Sequence, residues 1–153
     1  MPDKLETGTQ NHEGIAGIAP AIDFIASLGT GSNRRERLVS AFANLEQYEN
    51  RLAELMRNEL RQIAGVTLYQ AAAGVAKTPT VAFRLDKLAP EEACLQMAEQ
   101  HSVFIASGDF YASRLAELAG IAHSGGWIRA GIARYNTEEE IWRLIKGVQQ
   151  LMR

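Results

Sequence analysis

Apolar and polar positions follow two different patterns in the first and second parts of this chain. Residues 13–28 are almost all small or apolar, and Asp23 is their only charge after the first position. Residues 33–64 instead repeat apolar side chains at steps of three and four between charged ones, which is the spacing of one helix face. The sequence therefore predicts two consecutive helices, separated by a break at Gly29-Thr30-Gly31-Ser32.

The two predicted helices differ in what they require from their surroundings. The first is apolar all round and needs cover on most sides, and Pro20 either marks its first turn or kinks it. The second would be on the order of 45 Å long, at about 1.5 Å per residue. Its apolar stripe consists of Leu38, Phe42, Leu45, Leu52, Leu55 or Met56, Leu60 and Ile63. Such a length exceeds the needs of one small domain, so we predict an arm that bridges two bodies.

After Gly65 the pattern changes to short β-like runs separated by helices. The predicted strands are Val66–Tyr69, Thr80–Leu85, Val103–Ala106 and Gly126–Ala133. The predicted helices run from Pro90 to about Gln100, from Tyr111 to Leu118 and from Thr137 to Met152, the last opening on a Thr137–Glu140 capping box. We expect an α+β fold: a small mixed or antiparallel sheet covered by helices on one face and preceded by a long helical arm.

Composition narrows the class of protein. The chain has 153 residues, of which 46% are hydrophobic and 22% charged, and its formal net charge is −2. This near-neutral balance argues against a dedicated nucleic-acid binder. The sequence has no apolar run of the roughly 20 residues that span a bilayer, and from its polar and acidic first residues we expect no export signal. Cys94 is the only cysteine, so we expect a reducing compartment and a cytoplasmic location.

Arg129 is the most prominent candidate for ligand binding. In a strand it would face the same side as Trp127 and Gly131, opposite Ile128 and Ala130. Gly131 would leave open space beside the guanidinium, which suits a carboxylate held by two parallel hydrogen bonds. An edge-strand arginine that pairs with an acid on a neighbouring helix explains the same pattern, and both interpretations stay open.

Gly8-Thr9 is a second candidate, at a turn that enters a helix. Backbone N–H groups and the Thr9 hydroxyl could contact an anion such as a phosphate. An ordinary helix cap, which Ser and Thr often supply, is the alternative.

Other reactive residue types have ordinary explanations. Cys94 lies on an apolar helix stripe and is expected to be a core thiol. The three histidines show no metal-ligand spacing, so no metal site is predicted. Asp109 lies in a loop where turn chemistry accounts for it.

Taken in order, these motifs resemble the C-terminal part of class V aminotransferases, the fold-type-I pyridoxal-phosphate enzymes that include cysteine desulfurases. The resemblance rests on Glu6-x-Gly8-Thr9-x-Asn11, the apolar helix after it, the long arm, and Arg129 followed by Tyr135-Asn136-Thr137-x-Glu139-Glu140. The order Tyr111-Ala112, Gly126-Trp127-Ile128-Arg129, Tyr135-Asn136-Thr137 is most similar to the cysteine desulfurase-like branch.

The resemblance implies roles for the candidate residues. Gly8 and Thr9 would contact the phosphate of pyridoxal phosphate across a homodimer interface, and Arg129 would hold the α-carboxylate of an amino-acid substrate. It also implies three parts: residues 1–29, which would pack on a missing large cofactor domain, residues 30–64 as the connecting helix, and residues 65–153 as the C-terminal small domain.

Two departures from the family pattern limit what the resemblance implies. Family members that release sulfur from cysteine carry a cysteine on the loop that aligns with Ser107–Tyr111, where this chain has none. None of Lys4, Lys77, Lys87 and Lys146 matches the context of the family's Schiff-base lysine. We therefore expect no catalytic residue in this chain and no activity from it alone.

The complete enzyme could transaminate, eliminate or desulfurate. A non-catalytic small-molecule-binding or protein-interaction module derived from the domain is the alternative.

Overall fold

The computed structural model describes residues 8–153. Its helices are α1 (His12–Ser27), α2 (Arg34–Arg61), α3 (Pro90–His101), α4 (Ser113–Leu118) and α5 (Glu138–Leu151). Its strands are β1 (Val66–Tyr69), β2 (Thr80–Leu85), β3 (Ala106–Gly108) and β4 (Trp127–Gly131), and a 3₁₀ turn covers Ala122–Ser124. The chain forms two compact units, one that ends at Gln47 and one that comprises Tyr48–Arg153, so the division falls within α2.

The first unit contains α1 and the beginning of α2. Its connection is tight, because a Cβ at Gly29 would lie 2.0 Å from the Arg37 carbonyl oxygen. An ion pair joins Asp23 to Arg34 across the connection. Pro20 lies inside α1 and not in its first turn. Much of the apolar surface of α1 is solvent-exposed, with Ala26 as the one buried residue that the helix contributes within the described chain.

The second unit is built on an antiparallel sheet with strand order β1-β2-β4-β3. One face of this sheet carries the core, to which the second half of α2, α3 and α5 all contribute. The largest fully buried side chains are Phe83, Leu52, Met56, Leu60, Met97, Ile128, Ile145, Val148 and Pro90. The prediction of an α+β fold with helices on one sheet face is confirmed. In addition, Ala116 of the short helix α4 packs with Trp127 in a smaller cluster on the opposite face.

Buried Arg57 connects α2 to the chain that enters β2. Only 2% of this residue is exposed. Its Nη2 donates to the carbonyl oxygen of Thr78 at 2.7 Å and to that of Thr80 at 3.4 Å, while its Nη1 contacts the Glu54 carboxylate at 3.0 Å. These bonds satisfy a charged group that would otherwise be expensive to bury.

The predicted boundaries agree with the structure for β1 and β2, and the Thr137–Glu140 capping box at the start of α5 is confirmed. The prediction of a buried strand at 103–106 is wrong. Val103 and Ile105 pack against the core and Phe104 is 85% exposed, but ladder pairing begins only at Ala106. The alternation of apolar residues therefore indicated alternating burial, which residues 103–105 show without strand hydrogen bonds.

Helix α4 begins two residues later than the sequence predicts. Phe110 and Tyr111 have φ of 53° and 62°, which is incompatible with a right-handed helix. The division of residues 1–153 into three parts stays a prediction, and residues 1–7 lie outside the described chain. Among residues 8–153, no helix combines the length and apolar character needed to cross a bilayer.

Candidate functional site

Strand β4 presents Arg129 on the face opposite the core. Ile128 and Ala130 are buried on the core side, while Arg129 between them is exposed. The strand lies inside the sheet, paired with β2 on one side and β3 on the other. The alternation predicted from the sequence is therefore confirmed, but the idea that Arg129 sits on an edge strand is wrong.

Small residues surround Arg129 on its sheet face. Its register partners are Ala82 on β2 and Ala106 on β3. A Cβ added to Gly131, two residues along β4, would meet no atom within 4 Å. The open space predicted beside the guanidinium is present.

The guanidinium itself is stacked but not paired. Its Cζ lies 3.9 Å from the centroid of the Phe110 ring, a cation–π distance. Within the described part of the chain, Arg129 takes part in no ion pair and no hydrogen bond of its side chain. The alternative that an acid on a neighbouring helix neutralises Arg129 therefore has no partner among these residues. The N–H donors of Arg129 remain available for a planar anion.

A tight turn holds Phe110 over Arg129. The Ala112 N–H donates to the Asp109 carbonyl oxygen at 2.9 Å, and both central residues of this turn, Phe110 and Tyr111, are left-handed. The Asp109 carboxylate accepts hydrogen bonds from Ser113 Oγ at 2.6 Å and from the Tyr111 N–H at 3.1 Å. These two bonds, the one from Ser113 above all, lower the pKa of Asp109. The turn chemistry expected for Asp109 is confirmed.

An apolar pocket of about 560 Å³ lies beside Arg129 on the same sheet face. Its lining includes Leu68, Tyr69, Ala82, Phe110, Leu115 and Trp127. Trp127 is 5% exposed and meets the Tyr69 ring edge to face, with centroids 5.9 Å apart. The indole Nε1 is buried and has no acceptor among the described residues. All of these residues belong to the second unit.

Gly8 and Thr9 are exposed and belong to the first unit. Thr9 does not cap the helix: the N-cap of α1 is Asn11, whose Oδ1 accepts from the Gly14 N–H at 2.8 Å. The capping alternative for Thr9 is therefore wrong. A Cβ at Gly8 would meet nothing within 4 Å, so its backbone is open to an approaching group. Glu6, the first residue of that motif, lies outside the described residues.

The structure supports the interpretation of Cys94 as a core thiol. Cys94 is half-buried against the core, and burial raises the pKa of its thiol despite a hydrogen bond with Ser107. A raised pKa leaves little thiolate at neutral pH, which makes a poor nucleophile. Residues 8–153 contain no cluster of three or more His, Cys, Asp or Glu that could hold a metal.

Sequence reasoning missed the contributions of Phe110 and Trp127 to this site. Phe110 was visible only as a residue of the loop Ser107–Tyr111, and its ring reaches Arg129 through two left-handed residues that no sequence pattern announced. Trp127 was assigned to the correct face, and that alternation is the one signal that could have marked it as a neighbour of Arg129.

The comparisons with known proteins give one family match and several relatives of low identity. The family model described as aminotransferase class-V matches residues 1–144. An uncharacterized protein of Mycobacterium tuberculosis is 27% identical over 152 residues, which is 98% of this chain and 37% of that protein. A cysteine desulfurase of Salmonella newport is 28% identical over 99% of this chain and 33% of that protein. The chain thus spans about a third of the length of the curated relatives it matches.

Solved structures share the fold. A cysteine desulfurase from Thermococcus onnurineus NA1 superimposes with a TM-score of 0.79 at 22% identity, covering 99% of this chain and 34% of that one. The cysteine desulfurase CsdA from Escherichia coli superimposes with a TM-score of 0.75 at 23% identity, covering 97% of this chain and 32% of that one.

Proposed function

Because this chain belongs to the class V aminotransferase family, we propose that it forms the C-terminal part of a pyridoxal-phosphate enzyme that acts on an amino acid. In this role Arg129 binds the α-carboxylate of the substrate. The observation that carries the proposal is a guanidinium that is exposed, lies on an inner strand, and has no acidic partner among residues 8–153.

Position and chemistry both support carboxylate binding at Arg129. An inner strand fixes the backbone, and the Phe110 ring restricts the plane of the guanidinium. A planar guanidinium that is already held in one orientation loses little conformational entropy when it forms two parallel hydrogen bonds to a carboxylate. Ala82 and Ala106 leave the sheet surface beside it free of bulky side chains.

The phosphate of the cofactor is assigned to Gly8 and Thr9. Their chemistry fits, because a hydroxyl and unobstructed backbone N–H groups are suitable donors to phosphate oxygens, and Thr9 is exposed and not used as a helix cap. Pyridoxal phosphate, when bound, withdraws electrons from the bonds next to the substrate amino group. This chain's own contributions are to hold the carboxylate and the phosphate.

The apolar surface of α1 supports a partner body. Ile15 and Ile18 are 53% and 55% exposed, which is costly in water unless another surface covers them. We propose that this surface packs on a large cofactor-binding domain or on a second subunit. A single free cysteine supports a cytoplasmic location.

A non-catalytic binding module is the second candidate. It is favoured by one observation: Arg129, Phe110 and the adjacent pocket all lie within Tyr48–Arg153. A carboxylate ligand could therefore bind without any other protein.

One experiment distinguishes the two candidate functions. The chain is expressed together with the coding region that precedes it, and cofactor binding and amino-acid binding are measured by absorbance and calorimetry. Thr9→Ala should weaken cofactor binding, whereas Arg129→Gln should weaken amino-acid binding by about tenfold or more and leave the cofactor in place. Cofactor-independent binding of amino acids to the chain alone, with no cofactor taken up by the longer protein, would favour the binding module.

A further inference from the structure

The two roles proposed above, binding a carboxylate and binding a phosphate, make no use of the apolar pocket beside Arg129. Arg129 itself is part of its lining, so a molecule bound to the guanidinium has the pocket next to it. Phe110 serves both features, since its ring stacks on the guanidinium and also lines the pocket.

We propose that this pocket holds the side chain of the substrate whose carboxylate Arg129 binds, and that this side chain is large and uncharged, either aromatic or branched aliphatic. The inference rests on the carboxylate role of Arg129 proposed above. It adds a substrate class for this chain that differs from cysteine, the amino acid in the printed name of the matched desulfurases.

Size argues for a large side chain. A pocket of about 560 Å³ is within the range of roughly 300–1,000 Å³ that is usual for small-molecule sites. A side chain as small as that of alanine or cysteine would leave most of this apolar wall in contact with water. A phenyl or branched aliphatic group would bury wall and ligand together, which is the larger gain.

Charge argues for an uncharged side chain. Arg129 and Asp109 are the ionisable groups at the pocket, apart from the Tyr69 phenol. A cationic side chain would lie beside the Arg129 guanidinium, and the Asp109 carboxylate that could attract it already accepts hydrogen bonds from Ser113 and Tyr111. A second carboxylate would compete for Arg129 or lie unpaired against apolar groups.

Ring geometry supports an aromatic or branched occupant. Trp127 and Tyr69 already form an edge-to-face pair, with ring planes at 76°. Trp127 is 5% exposed, so the half-buried rings of Tyr69 and Phe110 are the aromatic surfaces that a further ring could meet edge to face. Leu115 adds a branched aliphatic group to the wall.

The test measures binding of simple carboxylates to the full chain by NMR, following the Arg129 side-chain N–H and the Trp127 indole N–H signals. The probes are acetate, 3-phenylpropionate, 4-methylpentanoate, 6-aminohexanoate and glutarate. We expect 3-phenylpropionate and 4-methylpentanoate to bind at least about tenfold more tightly than acetate. The probes with a second charge should bind no more tightly than acetate.

Two pairs of matched variants test whether the pocket causes this difference in affinity between the probes. Leu115→Gln should reduce the affinity for 3-phenylpropionate towards that for acetate, whereas Leu118→Gln on the same helix, outside the pocket, should not. Both leucines are more than half exposed, at 58% and 70%, so the fold tolerates each change. As a second pair, Ala82→Leu fills the pocket floor, and Thr80→Leu places the same group on the same strand face outside the pocket.

The outcomes separate this inference from the proposal beneath it. Equal binding of all five probes, lost in Arg129→Gln, would overturn the side-chain pocket and leave the carboxylate site standing. Binding that Arg129→Gln does not weaken, or no binding of any probe, would overturn the carboxylate role and the pocket with it. Tight binding of 6-aminohexanoate or glutarate would overturn the uncharged class.

Discussion

The side chain of Arg129 is framed by small neighbours and by one large ring. The neighbouring positions on this sheet face are the small residues Ala82, Ala106 and Gly131. The Phe110 ring covers one face of the guanidinium. That ring stays in place through two residues in the left-handed region, each of which is unfavourable for a side chain with a Cβ. Asp109 stabilises this turn and thereby helps to set the position of the Phe110 ring over Arg129.

This dependence on Asp109 predicts an effect of pH. Its pKa is lowered in the folded chain, so its stabilisation of the turn is complete above the unfolded pKa of about 3.9 and is lost as the pH falls through the lower folded value. We expect the Phe110 and Tyr111 amide signals to move together in this acidic range in an NMR titration. Asp109→Asn, which cannot ionise, should abolish the transition, and an unchanged titration in that variant would contradict the assignment.

Helix α5 begins with a reciprocal pair of hydrogen bonds. The Glu140 N–H donates to Thr137 Oγ1 at 3.3 Å, and the Thr137 N–H donates to Glu140 Oε2 at 2.8 Å. The helix also supplies Ile141, Leu144, Ile145 and Val148 to the core, so its first turn supports the face of the sheet behind β4.

Removing the Thr137 hydroxyl should weaken this helix start. We expect Thr137→Ala to lower the free energy of unfolding by about 1 kcal/mol, because one N–H of the first turn loses its acceptor. Urea unfolding followed by circular dichroism measures the change. Thr137→Ser keeps the hydroxyl and should restore most of the stability, and a serine variant as unstable as alanine would argue against the cap.

A substitution of Arg57 tests whether its buried hydrogen bonds stabilise the contact between α2 and the chain that enters β2. We expect Arg57→Met to lower the free energy of unfolding by about 1–3 kcal/mol, since methionine fills the space of the stem but leaves the Thr78 carbonyl oxygen without its 2.7 Å donor. Arg61→Met, one turn later and exposed, should change it by less than about 0.5 kcal/mol. Equal effects in the two variants would mean that the buried hydrogen bonds of Arg57 contribute nothing.

The described chain consists of two units with different surfaces. The second unit buries a continuous core on one sheet face, whereas the first leaves most of the apolar side chains of α1 exposed. Exposed apolar surface of this kind is typical of a region that another protein surface covers.

The exposed surface of α1 should make the chain associate. We expect the double substitution Ile15→Ser and Ile18→Ser to shift sedimentation towards the monomer, with a change in the free energy of unfolding of no more than about 0.5 kcal/mol. The control is Leu95→Ser with Leu118→Ser, which removes two exposed apolar side chains from the second unit. If the control lowers association as much as the α1 variant, the surface of α1 is not the interface.

Much of the fold follows from local patterns. The bounds of β1 and β2, the capping box of α5 and the opposite faces of Ile128 and Arg129 were all predictable, because alternation and caps act over a few neighbouring residues. The strand predicted at 103–106 failed for the same reason. Burial alternates along that segment, but hydrogen bonding depends on where β4 lies, which no local pattern specifies.

For the site, the sequence by itself determined that an arginine would stand on the face of a strand with space beside it. The tertiary structure alone decided that β4 is an inner strand, that Phe110 stacks on the guanidinium and that Tyr69, Trp127 and Leu115 line one pocket. These residues come from β1, β4 and α4, and only the pairing of strands far apart in the chain brings them together. Long-range pairing depends on the free energy of the whole fold, so a local pattern of residues cannot encode it.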